Sequence, residues 1–173
     1  MTSEERRENI ELVLKNNTDP ISATALAKKF SVSRQIIVGD IALMRAAGLK
    51  ISATPRGYVL NAEVEINENV YTIACCHDDT NMAAELYAVV DNGGTLLDVT
   101  VEHPIYGQIV GQLSISSRYD ADLFLKKVEN NQAQPLMRLT GGIHLHTIKC
   151  SDEETFSRIM KALQKKNIIL EQK

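Results

Sequence analysis

The hydrophobic positions of the first sixty residues recur at helical spacing in three consecutive segments. These segments are 4–15, 22–30 and 34–48, and each is preceded by a hydroxyl residue that can cap a helix. The three predicted caps are Thr2, Ser22 and Ser33. Only residues 31–33 separate the second helix from the third, and a helix, a short turn and a longer helix in this order predict a helix-turn-helix.

The third predicted helix has two different faces. Ile37, Ile41 and Met44 form an apolar stripe that must pack on the first two helices. The opposite face is small and polar, and it carries a glycine at a cost of about 1 kcal/mol relative to alanine. Close approach to a DNA major groove would explain that glycine, although a surface helix that tolerates it fits equally well. The predicted DNA contacts on this helix and its cap are Ser33, Arg34, Gln35, Val38 and Gly39.

Two short strand-like segments, 50–53 and 57–60, follow the third helix. They predict a β-hairpin wing with Arg56 at its tip, where a cation can contact the phosphate backbone. The stretch that contains ALAKKFSVSRQ, the D-I-x-x-hydrophobic-R core of the third helix and the closing RGYVL resembles the winged helix-turn-helix of biotin-repressor-type regulators. This resemblance favours binding to a double-stranded DNA operator.

After a polar, acidic stretch at 62–69, the pattern changes to alternating strands and helices. We predict that this stretch is a linker between a DNA-binding domain at 1–61 and a second domain at 70–173. The order of the second domain is β-α-β-β-α-β-α, with Thr80 capping its first helix and a Ser151…Glu154 capping box beginning its last one. The chain is therefore predicted to be α+β, with helices on one side of a mostly antiparallel sheet.

The histidines of the second domain predict a metal site. His144 and His146 share one face of a strand, about 6.5–7 Å apart, because side chains at i and i+2 point the same way. His77 ends an earlier strand, and Glu85 lies within the first two turns of the helix that follows. Three nitrogens and one oxygen suit nickel, zinc or iron rather than magnesium or calcium. Ordinary histidines satisfied by hydrogen bonds fit these residues as well.

Composition and charge narrow the class of protein. A hydrophobic content of 44% and a charged content of 24% are typical of a soluble protein, and we expect a cytoplasmic location with no membrane partner. Residues 1–60 carry a net charge of +3 and the remainder −6, which favours two modules with different partners. The cysteines, two of which are adjacent at Cys75 and Cys76, are interpreted as small buried hydrophobes in a reducing compartment.

His77 with Glu85, EHPIYG, GGIHLHT and the ATPRGYVL wing together resemble the niacin-responsive repressors of the NiaR family over essentially the whole chain. The resemblance implies a winged helix-turn-helix followed by a three-histidine (3H) domain with an HPr-like open-sandwich fold. It also implies a transcriptional repressor of genes for NAD metabolism or niacin uptake, with nicotinic acid as co-repressor. The implied metal is nickel, held by His77, Glu85, His144 and His146. We assign His103 to the effector site or to a position behind the metal ligands.

Our working hypothesis is that the metal gives a small carboxylate a cation to bind within an otherwise acidic domain. A homodimer through the second domain would then space two recognition helices for two operator half-sites. Two alternatives stay open: a repressor for which the metal ion is itself the signal, and a metal-dependent enzyme fused to a DNA reader. No further base or nucleophile has a clear relation to the site, and we therefore predict that the chain is not an enzyme.

Overall fold

Three helices and a two-stranded hairpin form the N-terminal unit of the computed structural model, which describes residues 1–60, 69–131 and 134–171. The elements are α1 (Ser3–Lys15), α2 (Ala23–Phe30), α3 (Arg34–Ala46), β1 (Ile51–Thr54) and β2 (Gly57–Leu60). Each helix begins at its predicted cap, whose hydroxyl accepts a hydrogen bond from the backbone N–H three residues later. The predicted winged helix-turn-helix is confirmed.

The core of this unit lies between α3 and the other two helices. Ile37, Ile41 and Met44 are buried there, as their spacing predicts. Asp40 is also buried on α3, and its carboxylate accepts hydrogen bonds from the guanidinium of Arg6 on α1 at 2.6 and 3.2 Å. A buried carboxylate is tolerated only when it is paired in this way, and so the pair fixes how α3 lies on α1.

The second unit is a four-stranded sheet with three helices on one face. Its elements are β3 (Val70–Cys76), α4 (Met82–Val90), β4 (Thr95–His103), β5 (Gly107–Ile115), α5 (Arg118–Asn130), β6 (Ile143–Lys149) and α6 (Glu153–Gln164). The strand order is β3-β6-β4-β5, and all three pairings are antiparallel. The predicted α+β class is confirmed. The predicted linker lies outside the described residues except for Asn69.

Both predicted caps of the second unit are wrong. The side chain of Asp78 accepts a hydrogen bond from the backbone N–H of Thr80 and begins a short 3-10 turn, after which α4 starts without a side-chain cap. At α6 the carboxylate of Asp152, not Ser151, accepts from the N–H of Thr155 at 2.7 Å. An aspartate within two residues of each predicted cap accounts for both differences, because an ionised carboxylate accepts a stronger hydrogen bond than a hydroxyl does.

Strand β6 contributes to both faces of the sheet. Ile148 packs in the main core with residues of α4, α5 and α6. Ile143 and Leu145 point the opposite way and pack with Val38 and Ala42 of α3. The helices of the second unit cover one face of its sheet, and the N-terminal unit therefore covers the other face. In the described part of the chain, no helix has the length and apolar character needed to cross a membrane.

Candidate functional site

The structure brings the four predicted metal ligands together beneath α4. The Nε2 atoms of His77, His144 and His146 lie 2.9, 3.1 and 3.3 Å from the carboxylate oxygens of Glu85. All four residues are buried, and Glu85 is only 2% exposed. Ligand atoms around a tetrahedral ion with bonds of about 2.0–2.1 Å are roughly 3.3 Å apart, which is close to each of these three separations between a ring nitrogen and a Glu85 oxygen.

Strand register and one glycine produce this convergence. β3 and β6 pair so that Cys75 lies opposite His144 and Ile73 opposite His146. Just before β6, Gly142 has φ +95°, and a Cβ at this position would come within 2.5 Å of the carbonyl oxygen of His77. Because only glycine fits this left-handed, crowded position, it lets the start of β6 approach the end of β3.

Backbone hydrogen bonds fix the orientation of the three imidazole rings. The Nδ1 atoms of His77, His144 and His146 lie 2.7, 2.8 and 2.7 Å from the backbone carbonyl oxygens of Asp78, Gly142 and Asp98. A carbonyl oxygen can only accept, and so each Nδ1 must carry the proton. In its neutral form, a ring held in this way turns an Nε2 lone pair towards Glu85, as in metal sites where the outer ring nitrogen is bound to the protein.

Lone pairs facing a carboxylate repel it unless a cation lies between them. Among the buried side chains described, the Nε2 of His77 has no hydrogen-bond partner, although a Glu85 oxygen is 2.9 Å away. Protons on the rings would supply positive charge, but a single carboxylate cannot balance three buried imidazolium ions. The donor set of three nitrogens and one carboxylate therefore fits a divalent transition metal.

Electrostatic effects within the cluster keep the carboxylate ionised. Burial alone would raise the pKa of Glu85, yet His146 and His144 hold it well below its usual range. Burial would lower the pKa values of His77 and His146, but interaction with Glu85 raises both. The cluster therefore presents a carboxylate anion next to nitrogens that also attract positive charge, which is the electrostatic environment that a cation prefers.

A cavity of about 350 Å³ adjoins the cluster. Glu85, His144 and His146 form part of its wall, and most of the remaining wall is apolar. Polar groups and aromatic or aliphatic side chains from β5, α5 and the turn before β6 complete the lining: Gln112, Leu113, Phe124, Lys127, Leu136 and Met137. A mostly apolar cavity with a few polar groups at one end is typical of a site for a small organic ligand.

A second hollow, of about 660 Å³, has His77 in its wall. It contains Arg138, whose guanidinium is already paired with the carboxylate of Asp79. The positive charge of Arg138 is therefore already paired with a carboxylate. The first cavity, in contrast, has Lys127 in its wall. The smaller, more apolar cavity is the better candidate for an anionic ligand.

His103 lies apart from the other three histidines. It ends β4, four residues beyond Val99, which pairs with His146, and four residues of strand span about 13 Å. Its Nδ1 accepts hydrogen bonds from the N–H groups of Ile105 and Tyr106, and its ring stacks on that of Tyr106. It does not line the cavity. The structure thus gives it a role in shaping the β4–β5 turn.

The predicted DNA-reading face of α3 packs against the second unit. Val38 is 4% exposed, and a Cβ on Gly39 would lie 3.8 Å from Ile143. The side-chain amide of Gln35 donates a 2.9 Å hydrogen bond to the carbonyl oxygen of Thr140. Val38 and Gly39 thus contact protein here.

The other predicted DNA contacts are more open. Arg34 lies 3.5 Å from Glu102, and its side chain is 39% exposed. Ser33 is exposed and caps α3. Arg56, on the wing, is 76% exposed and lies 3.9 Å from Asp19. Ser33 and Arg56 therefore lie on the protein surface, where a phosphate can reach them.

Comparison with known proteins agrees with this architecture. Residues 6–59 match the HTH domain family, and residues 70–172 match the 3H domain family. The chain is 43% identical over 169 residues to a probable transcription repressor NiaR of Thermotoga maritima, covering 98% of this chain and 95% of that protein. The chain belongs to the NiaR family of transcription repressors.

A second relative supports the same assignment. The chain is 37% identical over 167 residues to the transcription repressor NadR of Bacillus subtilis, covering 95% of this chain and 93% of the relative. Both relatives are named as transcription repressors, which are not enzymes, and the prediction that this member of the family is not an enzyme is confirmed. Its helix-turn-helix makes it a DNA-binding protein.

Sequence reasoning missed two residues of the site. The sequence favours a small buried hydrophobe at Cys75 over a metal or redox residue, but the ligand atoms of Cys75, Glu85 and His144 lie within 4.8 Å of one another. Burial and the nearby carboxylate raise the pKa of this thiol well above its usual value, which keeps it a neutral donor. Lys127 carried no signal, because an isolated lysine on an amphipathic helix is usually solvated.

Proposed function

We propose that this family member is a repressor of genes for NAD metabolism or niacin uptake, with nicotinic acid as co-repressor and a divalent metal in the regulatory unit. The observation that carries the proposal is the mostly apolar cavity that adjoins the three-histidine, one-carboxylate cluster and has a lysine in its wall. Nicotinic acid combines a flat apolar ring with one carboxylate, and each part has a matching surface in that chamber.

His77, Glu85, His144 and His146 would hold the metal, and nickel is our first choice among nickel, zinc and iron. When bound, a divalent ion with three neutral imidazoles and one carboxylate supplies a local charge of +1, which a single carboxylate anion neutralises. Lys127 adds a second cation in the cavity wall. Phe124, Leu113 and Met137 would pack against the pyridine ring and exclude water from it. His103 takes no part in this arrangement.

The DNA-binding part of the proposal rests on the winged helix-turn-helix. Arg34, Gln35 and Val38, with Ser33 and Gly39, would contact an operator through the major groove, and Arg56 on the wing would contact its backbone. A homodimer through the second unit would place two α3 helices about one helical turn of DNA apart.

The test is an operator-binding assay with the full chain. A duplex selected from a random library in the presence of nicotinic acid and nickel is titrated by fluorescence anisotropy with nicotinic acid, nicotinamide or buffer, before and after chelation. We expect nicotinic acid to strengthen binding by about tenfold or more, nicotinamide to do much less, and chelation to remove the response. A response to metal alone would show that the ion is the signal. No response to nicotinic acid in metal-loaded protein would overturn the proposal.

A further inference from the structure

Part of the α3 face that would read DNA is buried against the second unit. Val38 and Ala42 pack with Ala74, Ile143 and Leu145 on the sheet of the second unit, and none of these five side chains is more than 8% exposed. Val38 and Ala42 lie on the flank of α3, between the stripe that anchors it in its own unit and its outer side. Gln35 stays exposed on the outer side of α3, but a groove must admit the flank of a recognition helix as well. Docking on the sheet therefore keeps α3 out of a major groove.

Polar groups of the second unit also occupy the partners that DNA would need. Glu102 takes the place of a phosphate by lying 3.5 Å from the guanidinium of Arg34. The carbonyl of Thr140 takes the place of a base edge by accepting the amide N–H of Gln35 at 2.9 Å. Glu102 also accepts a hydrogen bond from the hydroxyl of Tyr58 on β2 and so holds the wing as well. Docking and DNA binding therefore compete for the same side chains.

We infer that this docked arrangement is a closed, DNA-excluded state of the protein, and that operator binding requires α3 to leave the sheet. The inference rests on the proposed function, because it takes α3 as the DNA-reading helix. It deepens that function by placing the control of DNA affinity in a contact within the chain.

Strand β6 connects this contact to the candidate metal site. His144 and His146 point to the cluster, while Ile143 and Leu145, alternating with them, support α3 on the other face. A small movement of β6 on the side of the cluster therefore moves the surface on which α3 lies. A co-repressor strengthens DNA binding only if it prefers the open arrangement, and we assign nicotinic acid that preference.

Two variants on the second unit should open the molecule while every predicted DNA contact keeps its own side chain. Ala74→Glu places a carboxylate in the apolar interface, and Glu102→Lys places a cation beside Arg34. The two substitutions change the net charge in opposite directions, whereas we expect both to strengthen operator binding without nicotinic acid. Apparent affinity is reduced by the fraction of molecules in the competent state, and so we expect a gain of about tenfold.

The matched controls lie on α6, on the other face of the sheet. Gln164→Glu and Glu154→Lys make the same two charge changes at exposed positions. They should alter affinity only slightly, and in opposite directions. Metal titration and circular dichroism of every variant verify that the cluster and the fold are retained.

A second measurement needs no DNA. Spin labels are attached through unnatural ketone side chains at Lys29 on α2 and Lys165 at the end of α6, both exposed, and their separation is measured by double electron–electron resonance. We expect one narrow distribution in the unmodified protein. In both opened variants, and in the unmodified protein with nicotinic acid and nickel, we expect a broader, longer one.

The inference is supported if both opened variants bind the selected duplex more tightly and respond less to nicotinic acid than the unmodified protein. It is overturned if their affinity and label distances equal those of the controls, or if nicotinic acid strengthens their binding as much as before. A third outcome is that neither the unmodified protein nor any variant selects a duplex, although the spin-label distances still change. The proposed function then fails, and the DNA-excluding role of the docked state fails with it.

Discussion

Removal of one ring from the cluster should weaken metal binding far more than removal of a histidine elsewhere. The perturbation is His146→Ala, which deletes a nitrogen 3.3 Å from Glu85 and a ring held by the carbonyl of Asp98. His146 is 3% exposed and forms part of the cavity wall. His103→Ala is the matched control, because it removes the histidine that lies outside the cluster.

The magnitude follows from the number of ligands that the structure brings together. Protein sites with four ligands bind zinc with about 10–16 kcal/mol of apparent free energy at neutral pH, which is roughly 2.5–4 kcal/mol for each ligand. One lost ligand should therefore weaken metal binding by about 10²-fold or more, since each 1.4 kcal/mol is a factor of ten. The control should differ from the unmodified protein by less than about twofold.

Competition titration of nickel and of zinc against a chromophoric chelator measures both affinities directly. Circular dichroism of the metal-free variants verifies that each one folds. Equal nickel and zinc affinities in His146→Ala and the unmodified protein would refute the assignment of this ring as a ligand. A loss in His103→Ala as large as that in His146→Ala would show that the effect is not specific to the cluster.

Three further outcomes are expected. Lys127→Ala should weaken the binding of nicotinic acid about tenfold and leave the binding of nicotinamide nearly unchanged, because only the acid carries a charge. Calorimetry of the nickel-loaded protein can measure both affinities. As the pH is lowered, metal affinity should begin to fall already above pH 6.5, the ordinary histidine pKa, because the raised pKa values of His77 and His146 let protons compete earlier than at ordinary histidines. Chelator competition at each pH measures this. Asp40→Ala should lower the free energy of unfolding by about 3–5 kcal/mol in urea titrations, since it leaves Arg6 buried and unpaired; an unchanged midpoint would contradict that role.

The sequence predicts the DNA-binding unit well because its signals are local. The caps at Thr2, Ser22 and Ser33 and the stripe from Ile37 to Met44 each depend on spacing within a single helix. The i, i+2 rule is equally local, and it correctly places His144 and His146 on one face of β6.

Long-range contacts could not be predicted in this way. The partnership of Asp40 with Arg6 joins residues that no periodicity relates, and the position of Cys75 beside Glu85 depends on the register of β3 against the rest of the sheet. Docking of α3 on the sheet left no local signal, because Val38 and Ala42 suit a groove in DNA and an apolar protein surface equally well.

The alternation along β6 has a consequence for altering ligand specificity in this protein. Every residue from Ile143 to His146 serves either the cluster or the α3 contact, and so a substitution in this segment changes metal affinity or DNA response together with ligand choice. Another part of the cavity wall, formed by Leu113, Phe124 and Lys127, lies on β5 and α5 and not on β6. A sensor for another aromatic acid should therefore be selected by randomising that wall while β6 is left unchanged.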